Sequence, residues 1–365
     1  MTQTDIGGRV AASIPPGVTQ GQVADKIGLA AEKFSRSLNG KRAFSAVELA
    51  QLAEVLDVDV HWLITGEPDP HRLVVAARHD FDPETGQRDV PGQLRDQPTL
   101  DDVALAYKQA AQAETSPPAP LPTSVDEIRA KLGQDFVRPL ADRIETRLDV
   151  DVIRLPKLST AYSFNVGARS VIVIPATGNW FRENWSLAHE LGHLAARHHE
   201  GDLTPADRDR HETVANAFAA DLLLPAAQLR ALDWLVATPD DVAERVWDLG
   251  VSTDALKTRL QWLGIPVADQ VLEWLQQPTQ RLLRRHWAGQ HADGIDQITQ
   301  RMDEAATRRF PRRLQEEHME LIAAGAIRKY TLAWMLGIDA EALEVEEPTP
   351  ASPIATDALA AALGH

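Results

Sequence analysis

Apolar positions recur at helical spacing along most of this chain and change to β-type runs only between about residues 150 and 176. In "TQGQVADKIGLAAEKFSRSLNGKR", residues 19–42, Val23, Ile27 and Leu29 are spaced to face a core. Thr19 and Gln22 fit a capping box that opens a helix. Gly28 breaks that helix, a second runs from about Ala30 to Leu38, and Asn39-Gly40 ends it. Two short helices joined by a glycine turn make a helix-turn-helix. Ser45 and Glu48 form another capping box, ahead of a helix carrying Leu49, Leu52 and Leu56, and "VHWLITGE" is a last short helix.

The pattern then loosens. "EPDPHR" and "TSPPAPLPTS" are proline-rich and read as linkers around one helix, "TLDDVALAYKQAAQAE", that starts near Thr99 or Leu100. Turn signals sit at Pro83 to Gly86 and at Pro91-Gly92. "SVDEIRAKLGQDFVRPLADRIETRL" reads as an amphipathic helix with Ser124 as N-cap. "VDVIRLP" and "SVIVIPA" read as strands. A helix from about Asn184 to His198 follows, then another over Asp209 to Pro225, on which Val214, Ala217, Phe218 and Leu222 form the apolar face. The rest, to residue 349, reads as helical and includes "AIRKYTLAWMLGIDAEAL", with Gly337 as a turn. The expected fold class is mainly α with a small α+β domain.

Composition narrows the chemistry. With 44% hydrophobic and 25% charged residues the chain reads as a globular protein. It has no cysteine, so a metal site must use His, Asp or Glu. No signal peptide or membrane span is evident, and a cytoplasmic address is expected. A net charge of −16 does not draw nucleic acid through the overall field. Between Thr19 and Phe44, however, Lys26, Lys33, Arg36, Lys41 and Arg42 outnumber Asp25 and Glu32, a local patch able to neutralise phosphates.

The sharpest chemical signal is "SLAHELGHLAARHH", Ser186 to His199. His189 and His193 stand one helical turn apart on one face and can share a zinc ion. Glu190 is angled to reach a water beside the metal without ligating it. A catalytic zinc needs three protein ligands and one free position. Glu212, on the next helix, is placed to be the third ligand. Asn216, four residues on, can hydrogen-bond the outer nitrogen of a ligating histidine and fix its tautomer.

Two resemblances follow from these residues. "TQGQVADKIG" and "NGKR" are in register with the lambda-repressor-like (XRE) DNA-binding family, over about residues 5–67. That resemblance implies contacts to double-stranded operator DNA: Gln20, Asn39 and Lys41 to the backbone, and Ala31, Glu32, Lys33 and Arg36 to base edges. The recognition helix lacks the usual Ser/Thr cap, and Glu32 brings a negative charge to the DNA. A protein-binding module of the same fold is the alternative.

"WSLAHELGHLAARHH" with "ETVANAFAADLLLP", and the tail "GVSTDALKTRLQWLGI", resembles the ImmA/IrrE family of zinc metallopeptidases from about Val125 to Leu263. This implies a zincin-like domain, His189, His193 and Glu212 as ligands of Zn2+, and Glu190 as general base. Trp185 and Leu224 replace a usual Phe and Met. Arg197 stands where the family often has His, leaving His198, His199 and Tyr162 as candidates to assist catalysis, against the alternative that both histidines lie at a surface helix end. The substrate is expected to lie along a strand edge, with "SVIVIP" as the candidate strand. The family cuts repressor-type proteins in phage, mobile-element or stress control.

The expected organisation is therefore a five-helix helix-turn-helix domain over 1–67, a linker with one helix over 68–124 and a zincin-like metallopeptidase domain with a small sheet over 125–265. A C-terminal helical region over 266–349 and a flexible tail over 350–365 complete it. The C-terminal region is expected to pack on the peptidase or to form a homodimer. The function read from this is a zinc endopeptidase fused to a DNA-binding domain that regulates transcription through a repressor-like protein substrate. The alternative is a non-cleaving regulator or antitoxin-like protein whose peptidase fold senses or binds a partner.

Overall fold

The computed structural model describes residues 3–15, 17–56, 58, 60–66, 76–77, 80–82, 87–89, 92–110, 120–198 and 205–346. The expected tail over 350–365, His199 and the proline-rich segments, apart from residues 120–124, lie outside them. The chain divides into two compact units, Met1–Arg72 and Leu73–His365.

Among the described residues the first unit holds five helices: α1 (Gln3–Ala12), α2 (Gln20–Lys26), α3 (Ala31–Leu38), α4 (Ala46–Leu56) and α5 (Val60–Thr65). Val10, Val23, Phe34, Leu52, Leu56 and Leu63 meet in one core. Thr19 and Gln22 close a reciprocal capping box on α2. Ser45 and Glu48 do the same for α4, the Ser45 N–H donating to Glu48 at 2.8 Å and the Glu48 N–H to Ser45 Oγ at 3.2 Å. Arg42 forks onto the same Glu48 carboxylate at 2.7 and 2.9 Å, tying the chain after α3 to the start of α4. Ala30 caps α3 with no side-chain bond.

The second unit is built on a four-stranded sheet. Its strands are β1 (Ala76–Ala77), β4 (Val150–Leu155), β5 (Tyr162–Val166) and β6 (Arg169–Pro175), in the order β1-β5-β6-β4; β2 (Asp80–Asp82) and β3 (Gln87–Asp89) pair separately. β4 and β6 are parallel, and the other pairs are antiparallel. Alternation along the strands divides their side chains between two buried faces. Val150, Val152, Ile172 and Ile174 join the larger core. Ile153, Leu155, Tyr162, Phe164, Val171 and Val173 join a second core on the opposite face. Burial on both faces explains why "VIVI" shows no polar alternation.

Helices cover both faces. On the first lie α7 (Val125–Leu132), α8 (Leu140–Leu148), α9 (Trp180–Ala195), α10 (Pro205–Leu223), α11 (Ala226–Arg230), α12 (Pro239–Leu249), α13 (Thr253–Trp262), α14 (Asp269–Leu275), α15 (Thr279–His286) and α16 (Gln297–Ala306), each contributing to the larger core. On the second lie α6 (Gln93–Ala110), α17 (Arg312–Ala323) and α18 (Tyr330–Leu336).

Several expectations need correction. The helix placed in a tether is α6, which buries Leu100, Val103, Ala106, Tyr107 and Ala110 against the sheet. It begins at Gln93, ahead of the expected start, and runs through Pro98. Pro98 is the sixth residue of α6, so it removes one hydrogen bond of the helix and crowds the turn before it. The expected single helix after Ser124 is two, α7 and α8, because Gly133 at φ +82° turns the chain between them. Val214 is 42% exposed, and the buried stripe of α10 is instead Ala215, Phe218, Ala219 and Leu222. β6 is a central strand, paired on both edges, so "SVIVIP" offers a substrate no free edge. After Gly337 the chain makes only a short 3-10 turn, Ala340–Ala342, rather than a second helix. The helices beyond residue 266 share both cores with the sheet, so this region packs as one of its expected alternatives had it. No helix among the described residues is long and apolar enough to cross a membrane.

Candidate metal centre

α9 carries the centre and is anchored at several points. Asn179 caps it, its side chain accepting the Arg182 N–H at 3.1 Å. Glu183 forms a buried ion pair with Arg154 of β4, one bond measuring 2.8 Å, which fixes the helix to the sheet. Asn184 donates to the Gly250 carbonyl at 2.9 Å. Gly192 faces Phe218 of α10 so closely that a Cβ there would lie 3.1 Å from its ring. The bare backbone lets α9 and α10 approach near enough for one carboxylate to reach two imidazoles.

His189, His193 and Glu212 converge, each at most 2% exposed. The two Nε2 atoms stand 3.1 Å apart. Glu212 offers one oxygen to each ring, at 3.4 Å from His189 and 3.3 Å from His193. Ligands about 2.0–2.1 Å from a tetrahedral zinc stand about 3.3–3.4 Å from one another. The spacing, the N,N,O donor set and the burial all fit a zinc ion. Burial pushes the Glu212 carboxyl up, but His189 and His193 outweigh it and hold the group well below the usual carboxylate range.

The outer nitrogens are also held. His189 Nδ1–H donates to Asn216 Oδ1 at 3.2 Å, which leaves Nε2 a lone pair facing the centre. His193 Nδ1 is 2.9 Å from His198 Nδ1. Arg197, at φ +54°, turns the chain after α9 and brings the His198 N–H back onto the His193 carbonyl at 3.0 Å. His198 is 6% exposed, and its ring stacks on His211 at 3.7 Å. It is thus not a surface histidine: it lies between the outer nitrogen of His193 and the ring of His211.

Glu190 is fully buried, and Ser163 Oγ of β5 donates to its Oε2 at 2.7 Å. The sequence reading missed both β5 and Ser163, although "YSFNV" alternates as a strand should. Tyr162, the next residue, points to the opposite face and donates to Asp96 of α6 at 2.9 Å, so it is not turned towards the centre.

A cleft of 1170 Å³ opens beside the centre, lined by Trp185 and Arg182 of α9, Thr213 and Asn216 of α10, Trp262 of α13 and the Ser159-Thr160 approach to β5. In the first unit, Gln20, Ala31, Glu32, Lys33, Arg36, Asn39 and Lys41 are all exposed.

No curated protein and no solved structure matches this chain. Residues 145–261, from within α8 to the last turn of α13 and containing every residue of the centre, match the family model of the IrrE N-terminal-like domain, a peptidase family.

Proposed function

We propose that the chain is a zinc-dependent endopeptidase joined to a unit that binds double-stranded DNA, and that it regulates transcription by cutting a repressor-type protein. The observation that carries this reading is the buried triangle of His189, His193 and Glu212 with Glu190 beside it. The match to a peptidase family over the same residues supports it.

Zinc held there supplies a Lewis acid that polarises the scissile carbonyl and acidifies water. Glu190 takes a proton from the attacking water and returns it to the leaving amine. Ser163 fixes the Glu190 carboxylate, donating to Oε2 at 2.7 Å. Asn216 and His198 hold the two imidazoles with their Nε2 atoms inward. Burial keeps bulk water from competing for these groups.

The DNA reading draws on the α2–α3 pair, whose exposed side chains include Gln20, Lys33, Arg36, Asn39 and Lys41. Glu32 lies among them; its carboxylate repels phosphate, and towards bases it can only accept hydrogen bonds.

Purified full-length protein should carry one zinc per chain. It should cleave a repressor encoded beside its own gene, and Glu190→Gln should abolish cleavage while keeping the zinc. A chain that takes up no zinc, or cleavage that persists in Glu190→Gln, refutes the enzymatic reading. Operator binding is read separately, by mobility shift with Arg36→Ala.

A further inference from the structure

The centre is closed: His189, Glu190, His193 and Glu212 are each at most 2% exposed, although a polypeptide substrate must reach them. The sheet has one edge beside Glu190, the outer edge of β5, whose Ser163 touches that carboxylate. β6 is paired on both sides, and β4 lies at the far edge of the sheet, where Arg154 bridges to Arg309. The β5 edge is taken by the chain itself. Ala76 pairs with Ser163 and Ala77 with Tyr162, antiparallel. β1 also packs against α9, and β3 of the neighbouring hairpin packs against α10, the two helices that bear the ligands.

We infer that β1 is a built-in blocker: it occupies the strand edge on which an extended polypeptide substrate must pair to lie beside Glu190. The inference rests on the peptidase reading and names the regulation of that site. Strand addition is sequence-tolerant, because main-chain hydrogen bonds provide the affinity. An internal segment therefore competes with any substrate for the same bonds. The cleft lined by Ser159 and Thr160 begins where β5 begins, so a strand laid on this edge continues into it. β1 starts four residues after Arg72, where the first unit ends, so the blocker is the first strand of the second unit. An edge strand whose only role is to shield the sheet from aggregation would need no relation to the centre; this one adjoins the residue that holds Glu190.

The test uses the zinc-loaded full chain and two variants, Ala76→Pro and Ala77→Pro. Neighbouring residues of a strand point their N–H groups to opposite sides, so one of the two variants loses a bond to β5. The probe is a fluorescently labelled peptide of residues 73–82, read by anisotropy. That variant should bind the peptide about fivefold more tightly than the parent chain, the effect of losing one backbone hydrogen bond. Its β5 amides should also exchange faster. Equal peptide affinity in the parent and both variants, with zinc bound in all three, overturns the blocker and leaves the peptidase reading standing. A chain that takes up no zinc removes that reading, and the blocker with it.

Discussion

Replacing His198 by alanine should weaken zinc binding more than replacing Asn216. Each residue holds the outer nitrogen of one ligand, at 2.9 Å for His198 and 3.2 Å for Asn216. Removing such a partner typically lowers metal affinity about 10–100-fold. Asn216 is half-buried, and its bond lies at the long end of the normal range, so water can replace it after truncation. About tenfold is expected there. His198 is 6% exposed, and the His193 ring it supports is 2% exposed. Truncation strands a buried N–H, which costs about 1–3 kcal/mol, and also removes the stack on His211 at 3.7 Å. The expected loss is about 100-fold, or about 2.7 kcal/mol. Competition against a chromogenic chelator measures both affinities, with circular dichroism checking that each variant is folded. A His198→Ala chain that binds zinc within twofold of the parent, or more tightly than Asn216→Ala, would refute the view that His198 supports a ligand.

Gly250→Ala should destabilise the second unit by about 2–3 kcal/mol, since positive φ carries strain and the new methyl must also displace packed neighbours. Gly250 sits at φ +58°, and a Cβ there would lie 2.2 Å from Val137; a denaturation midpoint equal to the parent's would contradict this. Stripping the metal should lower the melting temperature, because zinc at about 100 times its dissociation constant contributes about 2.7 kcal/mol; differential scanning calorimetry with and without chelator reads it. Lys41→Ala should weaken binding to all duplexes alike and reduce the salt slope by about one, whereas Arg36→Ala should cost about 1–3 kcal/mol on the preferred sequence. A salt titration on specific and scrambled duplexes separates the two, and equal losses on both for Arg36→Ala would remove its base contact.

The parts of the centre legible in sequence are those set by local geometry. His189, Glu190 and His193 follow from one helical turn, and Glu212 with Asn216 from the next helix, because a helix fixes which side chains share a face. The capping boxes at Thr19 and Ser45 are local in the same way. What stayed hidden depends on long-range packing. Ser163 reaches Glu190 across 27 residues, from a strand that the reading passed over. The turn of His198 depends on Arg197 adopting a left-handed conformation that its residue type does not announce. α6 was legible as a helix, but the burial of its Leu100, Val103 and Tyr107 depends on a sheet face that no neighbouring sequence declares.

That second face also bears on how the centre is held. α9 lies on one side of the sheet, and its Glu183 is tied to Arg154 of β4. β4 carries Asp151 on the other side, where the carboxylate accepts from Tyr107 of α6 and from Arg313 of α17, both at 2.8 Å. Arg309, ahead of α17, reaches back to the Val152 carbonyl at 2.7 Å and to Glu145 of α8. The strand that anchors the ligand helix is therefore clamped by elements that begin before residue 111 and after residue 306, outside the matched peptidase segment. A fragment cut to residues 145–261 would expose Tyr162, Phe164, Val171 and Val173 to water and leave Asp151 without both partners. Bare apolar surface opposes folding, and β4 loses the two bonds that tie it to its neighbours on that face. The three-ligand geometry is thus a property of the whole second unit rather than of the motif alone.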